Sequence, residues 1–355
     1  MAKVSEILER WYIDNKRDLP WRRTDSPYLI WLSEIILQQT RVSQGLTYFL
    51  SFVEKFPSVY DLSGAPIEDV LKLWQGLGYY TRARNLHETA RKIVTDYHGK
   101  FPQEYEELLK LKGIGPYSAA AIASIAFQKP VAVVDGNVLR VVSRLYGIDT
   151  SVDSPAGKQI IGQKAREILN YSSPGMHNQA LMEFGALLCT PKNPVCNACP
   201  LRHLCKACIE GKTMILPVRS GKIKPRERYF DYLFIRHNGF TYLKQRKSND
   251  IWNSLYEFPL IESSSPPDNE KLASSPGWTG IFEGMPVKPD PFPKSYKHQL
   301  THQILHCRFH RIKTDRELSA PGFNFRQVAL SDLFRYAVPR VIDRYLTDLR
   351  HERLL

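Results

Sequence analysis

The sequence predicts a multidomain chain: a mainly α-helical region over residues 1–215 that closes in a metal-binding loop, then a basic linker, then a separate α+β domain. Three observations carry this reading. Helix-start signals and apolar helical stretches recur through the N-terminal region. Four cysteines, Cys189, Cys196, Cys199 and Cys205, end it in the spacing C-x6-C-x2-C-x5-C, within seventeen residues of a 355-residue chain. Beyond them the pattern turns to strand-type alternation around an Asn238-Gly239 turn. A chain this long holds two or three cores rather than one.

Taken in order, Ser26-Pro27 supplies a cap and a proline at the first helical position, starting a helix over Tyr28–Thr40. Glu104–Leu111 and the alanine-rich Tyr117–Phe127 read as helices, as do Asn137–Tyr146 and Gln179–Leu188. Residues 216–228, with Lys222, Lys224, Arg226 and Arg228, read as the basic linker. A strand over Tyr229–Arg236 turns back at Phe240–Leu243, and Leu305, Cys307 and Phe309 alternate with His306, Arg308 and His310 as in a half-buried strand. Glu262–Pro291, rich in Ser, Pro and Gly, reads as loop, and Ser331–Leu349 as helix. There is no internal repeat.

Hydrophobic content of 43% and charged content of 24% are those of an ordinary soluble globular protein. The longest apolar run, Tyr117–Phe127, is far too short to cross a membrane, and no signal-peptide pattern opens the chain. A cytoplasmic protein is expected, nucleoid-associated in a prokaryote or nuclear in a eukaryote, with no membrane partner and a monomeric state. A reducing compartment also suits cysteines kept as metal ligands. Net charge of +13 and a pI near 9.4 call for a polyanionic partner, nucleic acid first.

Four thiolates at this density complete the ligand set of an iron–sulfur cluster or a structural zinc. The spacing favours iron–sulfur, because zinc modules more often use two C-x2-C pairs and only one is present. Cys208 and Cys307 read as small core residues. Leu111-Lys112-Gly113-Ile114-Gly115-Pro116-Tyr117 joins two helices through a glycine-rich hairpin, whose free N–H groups at Gly113 and Gly115 suit a DNA phosphate or simply a tight turn. Asp135, in Val134-Asp135-Gly136-Asn137-Val138, reads as a helix cap kept ionised by N–H donors. Glu34 lies among apolar neighbours on a helix, which raises a carboxyl pKa and suits a general acid. Two carboxyls in contrasting environments are what glycoside cleavage uses.

Leu-Lys-Gly-Ile-Gly-Pro-Tyr, Val-Asp-Gly-Asn-Val and the cysteine spacing together resemble the helix-hairpin-helix iron–sulfur DNA glycosylases. Within that superfamily, Pro20-Trp21-Arg22, Trp31-Leu32-Ser33-Glu34, Leu37-Gln38-Gln39-Thr40 and Gly76-Leu77-Gly78-Tyr79-Tyr80 are similar to adenine DNA glycosylases of the MutY type. The resemblance spans nearly the whole chain and is strongest over residues 17–205. It implies a six-helix barrel lobe at about 28–130, an iron–sulfur lobe formed by about 1–27 and 131–215, and a [4Fe-4S] cluster on the four cysteines. It implies duplex DNA carrying adenine opposite 8-oxoguanine or guanine as substrate, and release of the adenine by hydrolysis after base flipping. Glu34 then matches the acid that protonates adenine at N7. Asp135 matches the carboxylate that stabilises or traps the sugar cation, Asn137 its support, and Tyr117 a residue beside the reacting sugar. Trp21, Arg22 and Glu183 match the adenine pocket, and Gln39 and Tyr79 the residues wedged into the duplex.

Position 117 separates relatives. Bifunctional enzymes of the endonuclease III type carry a Schiff-base lysine there, and Tyr117 cannot act as that amine. A pyrimidine glycosylase/lyase is the alternative reading, and a non-enzymatic iron–sulfur DNA-binding regulator is a further one. Residues 229–355 resemble a Nudix-like domain that recognises 8-oxoguanine, with Trp252–Pro259 fitting its pattern. No R-E-x-x-E-E run follows, so the domain is expected to bind without hydrolysing a pyrophosphate. Leu300-Thr301-His302 falls where relatives carry Phe-Ser-His, making Thr301 and His302 the expected base readers. Lys192 is the only basic residue of the loop Thr190–Val195, so little DNA clamping is expected there.

Overall fold

The computed structural model describes residues 3–221, 224–247, 250–266, 268–318 and 323–355. They gather into two compact units, Met1–Ala65 with Asn85–Gly221, and Pro66–Arg84 with Lys222–Leu355. In chain order the first helices are α1 (Val4–Asn15), α2 (Pro27–Leu37), α3 (Val42–Lys55), α4 (Val59–Gly64), α5 (Ile67–Leu73) and α6 (Thr81–Tyr97). They are followed by α7 (Tyr105–Leu108), α8 (Pro116–Phe127), α9 (Gly136–Tyr146), α10 (Pro155–Glu167), α11 (Pro174–Leu187) and α12 (Lys206–Ile209).

In the first unit, proline stands at the start of α2, α8, α10 and α11, where its missing N–H costs no hydrogen bond. α2 is buried from Ile30 to Ile36, Glu34 included. The alanines of α8 let α2 approach it closely, and both are apolar nearly all round. A second core, including Leu8, Val138, Val142, Leu181 and Phe184, joins α1, α9 and α11.

Several sequence-based boundaries move. α2 stops at Leu37 rather than Thr40, because Gln39 takes a left-handed φ of 54° that no α-helix continues through. α7 covers only Tyr105–Leu108 of the expected Glu104–Leu111, as the chain tightens into the hairpin before Gly113. α11 starts at Pro174, earlier than the expected Gln179.

The second unit holds a four-stranded sheet ordered β4-β1-β6-β5 and a three-stranded one ordered β3-β2-β7. The strands are β1 (Arg226–Arg236), β2 (Phe240–Gln245), β3 (Tyr256–Glu257), β4 (Leu260–Ser263), β5 (Lys294–Gln299), β6 (Gln303–Lys313) and β7 (Arg326–Ala329). β1 and β6 pair in parallel, in a register that sets Phe230 beside Cys307 and Tyr232 beside Phe309. Arg226 and Arg228 therefore belong to a strand, not to the stretch expected as linker; Lys222 lies outside the described residues. Arg228 is buried because Asp250 and Glu262 both accept its guanidinium hydrogen bonds.

Glu262–Pro291 is not all loop. Asp268 and Ser275 cap two short helices there, α13 (Asn269–Ala273) and α14 (Pro276–Phe282), and the latter buries Trp278, Ile281 and Phe282. The expected helix Ser331–Leu349 is divided into a 3-10 turn, Leu330–Arg335, and α15 (Arg340–His351). Pro339 restricts the residue before it to extended backbone, which separates the two. α15 packs Val341, Ile342, Tyr345 and Leu349 into the sheet core, with Tyr345 stacked on Phe309 at 4.1 Å. Residues 66–84 hydrogen-bond within this unit: Lys72 Nζ to the Tyr336 carbonyl (3.2 Å), Gln75 Nε2 to Asp343 Oδ1 (2.8 Å) and Arg84 Nη1 to the Asn253 carbonyl (2.6 Å).

Candidate active site

Where α2 meets the start of α8, the Tyr117 hydroxyl donates to Glu34 Oε2. Glu34 is 7% exposed. Burial pushes its carboxyl up to about 7, against the Tyr117 bond, with the nearby Asp135 charge adding to the rise and Arg22 opposing it. The protonated and ionised forms of Glu34 are thus both populated near neutrality.

Asp135 is the cap of α9. Its Oδ1 accepts from the backbone N–H of Asn137 (2.9 Å) and Val138 (2.7 Å), and its Oδ2 from Asn137 Nδ2 (2.8 Å). The sequence predicts that N–H donors at the helix start keep it ionised. Burial wins over all three, however, and raises the Asp135 carboxyl above its ordinary value.

Arg140, which sequence reading passed over, fixes the orientation of Asn137. Its Nη2 donates to Asn137 Oδ1 and to the Gly185 carbonyl, both at 2.8 Å, and its Nε to the Cys189 carbonyl at 2.7 Å. The available signal was a charged residue three positions after Asn137, one helical turn along the same face.

Glu183 on α11 is buried, which would raise its pKa, but Arg17 and Arg22 hold it down to about 2. Arg22 donates from both terminal nitrogens (2.8 and 2.7 Å), and Arg17 from its backbone N–H, Nε and Nη2 (3.0, 2.8 and 2.5 Å). Both carboxylate oxygens are occupied, so what this group presents outward is arginine. Trp21 packs edge-on against Phe49 at 5.0 Å. Trp21, Arg22, Glu34, Tyr117, Asp135, Asn137 and Glu183 line one cavity of about 300 Å³ in the first unit, with Arg17, Gln179 and Met182. No lysine is among the described residues that line it. Gln39 is exposed, just past α2, and is not in the cavity wall.

In the hairpin, Gly113 has a φ of 79°, and a Cβ there would sit 2.7 Å from Asn85 Cβ. Gly115 caps α8 with extended backbone, and a Cβ would meet no protein atom within 4 Å. Its surroundings are open, as a close approach by another molecule requires.

Cys189, Cys196, Cys199 and Cys205 line a second, largely apolar cavity. Among the described residues, no group of three or more His, Cys, Asp or Glu side chains is placed to hold a single metal ion. Arg144, 2% exposed, directs Nη1 toward Cys189 Sγ (3.4 Å) and the Thr190 carbonyl (2.7 Å) and Nε toward the Leu216 carbonyl (3.0 Å). A buried guanidinium beside four thiols fits an anionic group held by thiolates.

In the second unit, Tyr79 has a left-handed φ of 48°, and its hydroxyl meets Thr301 Oγ1 across 222 residues of sequence. Thr301 and His302 are exposed between β5 and β6, and the His302 carbonyl accepts from Arg226 N–H at 2.9 Å. Glu257 and Glu262 line one pocket of this unit and both are committed: Glu257 pairs with Arg246 at 2.7 Å and Glu262 with Arg228 at 2.7 Å.

Residues 32–169 match the HhH-GPD superfamily of base excision DNA repair proteins, and residues 231–348 match the NUDIX domain. An adenine DNA glycosylase of Buchnera aphidicola subsp. Baizongia pistaciae is 36% identical over 255 residues, covering 71% of this chain and 72% of that protein. The chain belongs to the adenine DNA glycosylases. The rat member of this family is 43% identical over 306 residues, covering 72% of this chain and 59% of its own length. Among solved structures, a thermostable thymine-DNA glycosylase superposes with a TM-score of 0.54 at 29% identity, covering 58% of this chain and 95% of its own. An endonuclease III–DNA complex has a TM-score of 0.51 at 23% identity, with the same 58% of this chain and 94% of its own, and shares the fold. The helical glycosylase fold and the Nudix-like C-terminal domain expected from sequence are thus both present.

Proposed function

We propose that this chain is a monofunctional adenine DNA glycosylase acting on adenine opposite 8-oxoguanine or guanine in duplex DNA. The observation that carries the reading is the Tyr117–Glu34 hydrogen bond in a cavity that also holds Asp135 and Asn137 and has no lysine in its described lining. A flipped adenosine brings the base toward Trp21, Arg22 and Glu34 and its sugar toward Tyr117 and Asp135. Glu34, with a pKa near 7, carries the proton that N7 takes up. The C1′–N9 bond then breaks with its electron pair going to the base, which leaves neutral. Asp135 in its ionised form stabilises the oxocarbenium ion left on the sugar or bonds to it, and Asn137 and Arg140 fix the carboxylate. Water adds at C1′ and loses its proton to a carboxylate, giving an abasic site with both strands intact.

Gly113 and Gly115 hold a backbone phosphate at the start of α8. Gln39 and Tyr79 enter the duplex; both carry a left-handed φ, a backbone cost that functional positions often bear. Thr301 and His302 read the base opposite the adenine. Cys189, Cys196, Cys199 and Cys205 hold a [4Fe-4S] cluster, which ties their loop into a fixed shape when bound. Single-turnover cleavage of duplexes with adenine opposite 8-oxoguanine, guanine, cytosine or thymine tests the reading. Fast release opposite the first two and no borohydride-trapped adduct are expected. A trapped adduct with strand cleavage would instead establish the lyase alternative.

A further inference from the structure

We propose that Cys208 is a reserve ligand of the cluster, a fifth thiol that binds iron in place of Cys196. The inference rests on the cluster assignment made above. Sequence reading took Cys208 for a core residue, but it is half-buried and lines the same cavity as the other four cysteines. α12 starts directly after Cys205, and its one turn brings Cys208 back over that residue, with its N–H 3.0 Å from the Cys205 carbonyl. Cys208 and Cys196 line that cavity together. The cavity thus offers five sulfurs where a cluster takes four.

The protein holds the four expected ligands unequally. Cys189, Cys199 and Cys205 pack against the core shared by α1, α9 and α11. Cys196 stands on a 3-10 turn, Cys196–Ala198, none of whose residues is buried. It is the ligand with least packing to fix it and the one whose loss a neighbouring thiol can cover. The exchange needs no oxidant: Cys208 gives up its proton as its sulfur binds iron, and the Cys196 sulfur leaves and takes up a proton. With four thiolates sufficient, the fifth remains a free thiol in the loaded protein.

The test compares wild-type, Cys196→Ser, Cys208→Ser, Cys196→Ser/Cys208→Ser and Cys199→Ser proteins purified anaerobically, by iron content and visible absorbance. Iodoacetamide labelling of each native protein, read by peptide mass, adds a second measurement. Wild type and both Cys196→Ser and Cys208→Ser should retain iron, whereas the double variant and Cys199→Ser should lose it. Cys208 should be alkylated in wild type and protected in Cys196→Ser. If Cys196→Ser is as iron-poor as the double variant, or the double variant keeps its iron, the role of Cys208 is refuted. Iron-free wild type would overturn the cluster assignment itself, and this proposal with it.

Discussion

Replacing Glu34 by glutamine should stop adenine release and, at the same time, make the protein more stable above neutral pH. The structure sets the size of the second effect. Burial raises the Glu34 carboxyl from 4.5 to about 7, roughly 2.5 units at about 1.4 kcal/mol each, so ionised Glu34 costs the folded state about 3 kcal/mol. A carboxyl whose pKa is raised on folding favours its neutral form. The cost is therefore absent below pH 4.5, grows between 4.5 and about 7, and is complete above that. Glutamine cannot ionise, and its amide oxygen can still accept from Tyr117. The variant should match wild type near pH 4.5 and exceed it by up to about 3 kcal/mol at pH 8, since only 7% exposure leaves little solvent screening. Urea unfolding at both pH values measures this difference. In single-turnover assays the variant should be slower by about 10²–10⁴-fold. The wild-type rate should fall with rising pH through about 7, as the proton on Glu34 is lost. Adenine release within tenfold of wild type, or an equal stability change at both pH values, would refute the assignment of Glu34 as buried acid.

Asp135→Asn should keep the cap of α9, since the two residues cap about equally well, with folding changed by less than about 1 kcal/mol. It should nevertheless abolish base release, because a neutral amide neither stabilises the sugar cation nor bonds to it. Wild-type rates in this variant would reduce Asp135 to a cap. Cys199→Ala should lose iron and visible colour and become poorly soluble, and stoichiometric zinc without iron in anaerobically purified wild type would refute the iron–sulfur assignment. Thr301→Ala with His302→Ala should lower the preference for 8-oxoguanine over guanine opposite adenine, while single-turnover cleavage opposite guanine changes much less. An equal loss on both duplexes would assign these residues to catalysis instead of lesion reading.

The sequence by itself determined the two-part architecture, the family and the identity of the chemical groups, because each is carried by local patterns. The hairpin Gly113-Ile114-Gly115-Pro116 needs its own backbone conformation, and the four cysteines lie within seventeen residues of sequence. Glu34 was legible as a buried acid because the apolar residues on both sides of it in α2 leave it no solvent-facing side. Helix ends were less legible. Gln39 gives no sequence warning of a left-handed backbone, and Pro339 divides what helical spacing alone made continuous.

Tertiary structure decided what depends on partners distant in the chain. The direction of the Asp135 shift is a contest between three visible donors and a burial that only packing supplies. Glu183 is a carboxylate by sequence, but Arg17 and Arg22, more than 160 positions away, turn its corner of the cavity cationic. The Tyr79–Thr301 contact, the inclusion of residues 66–84 in the unit of the C-terminal domain, and the presence of Cys208 in the cavity of the other four cysteines arise in the same way. Spacing records which groups a chain owns; burial and long-range pairing set their charge and their company, and neither exists before the chain has folded.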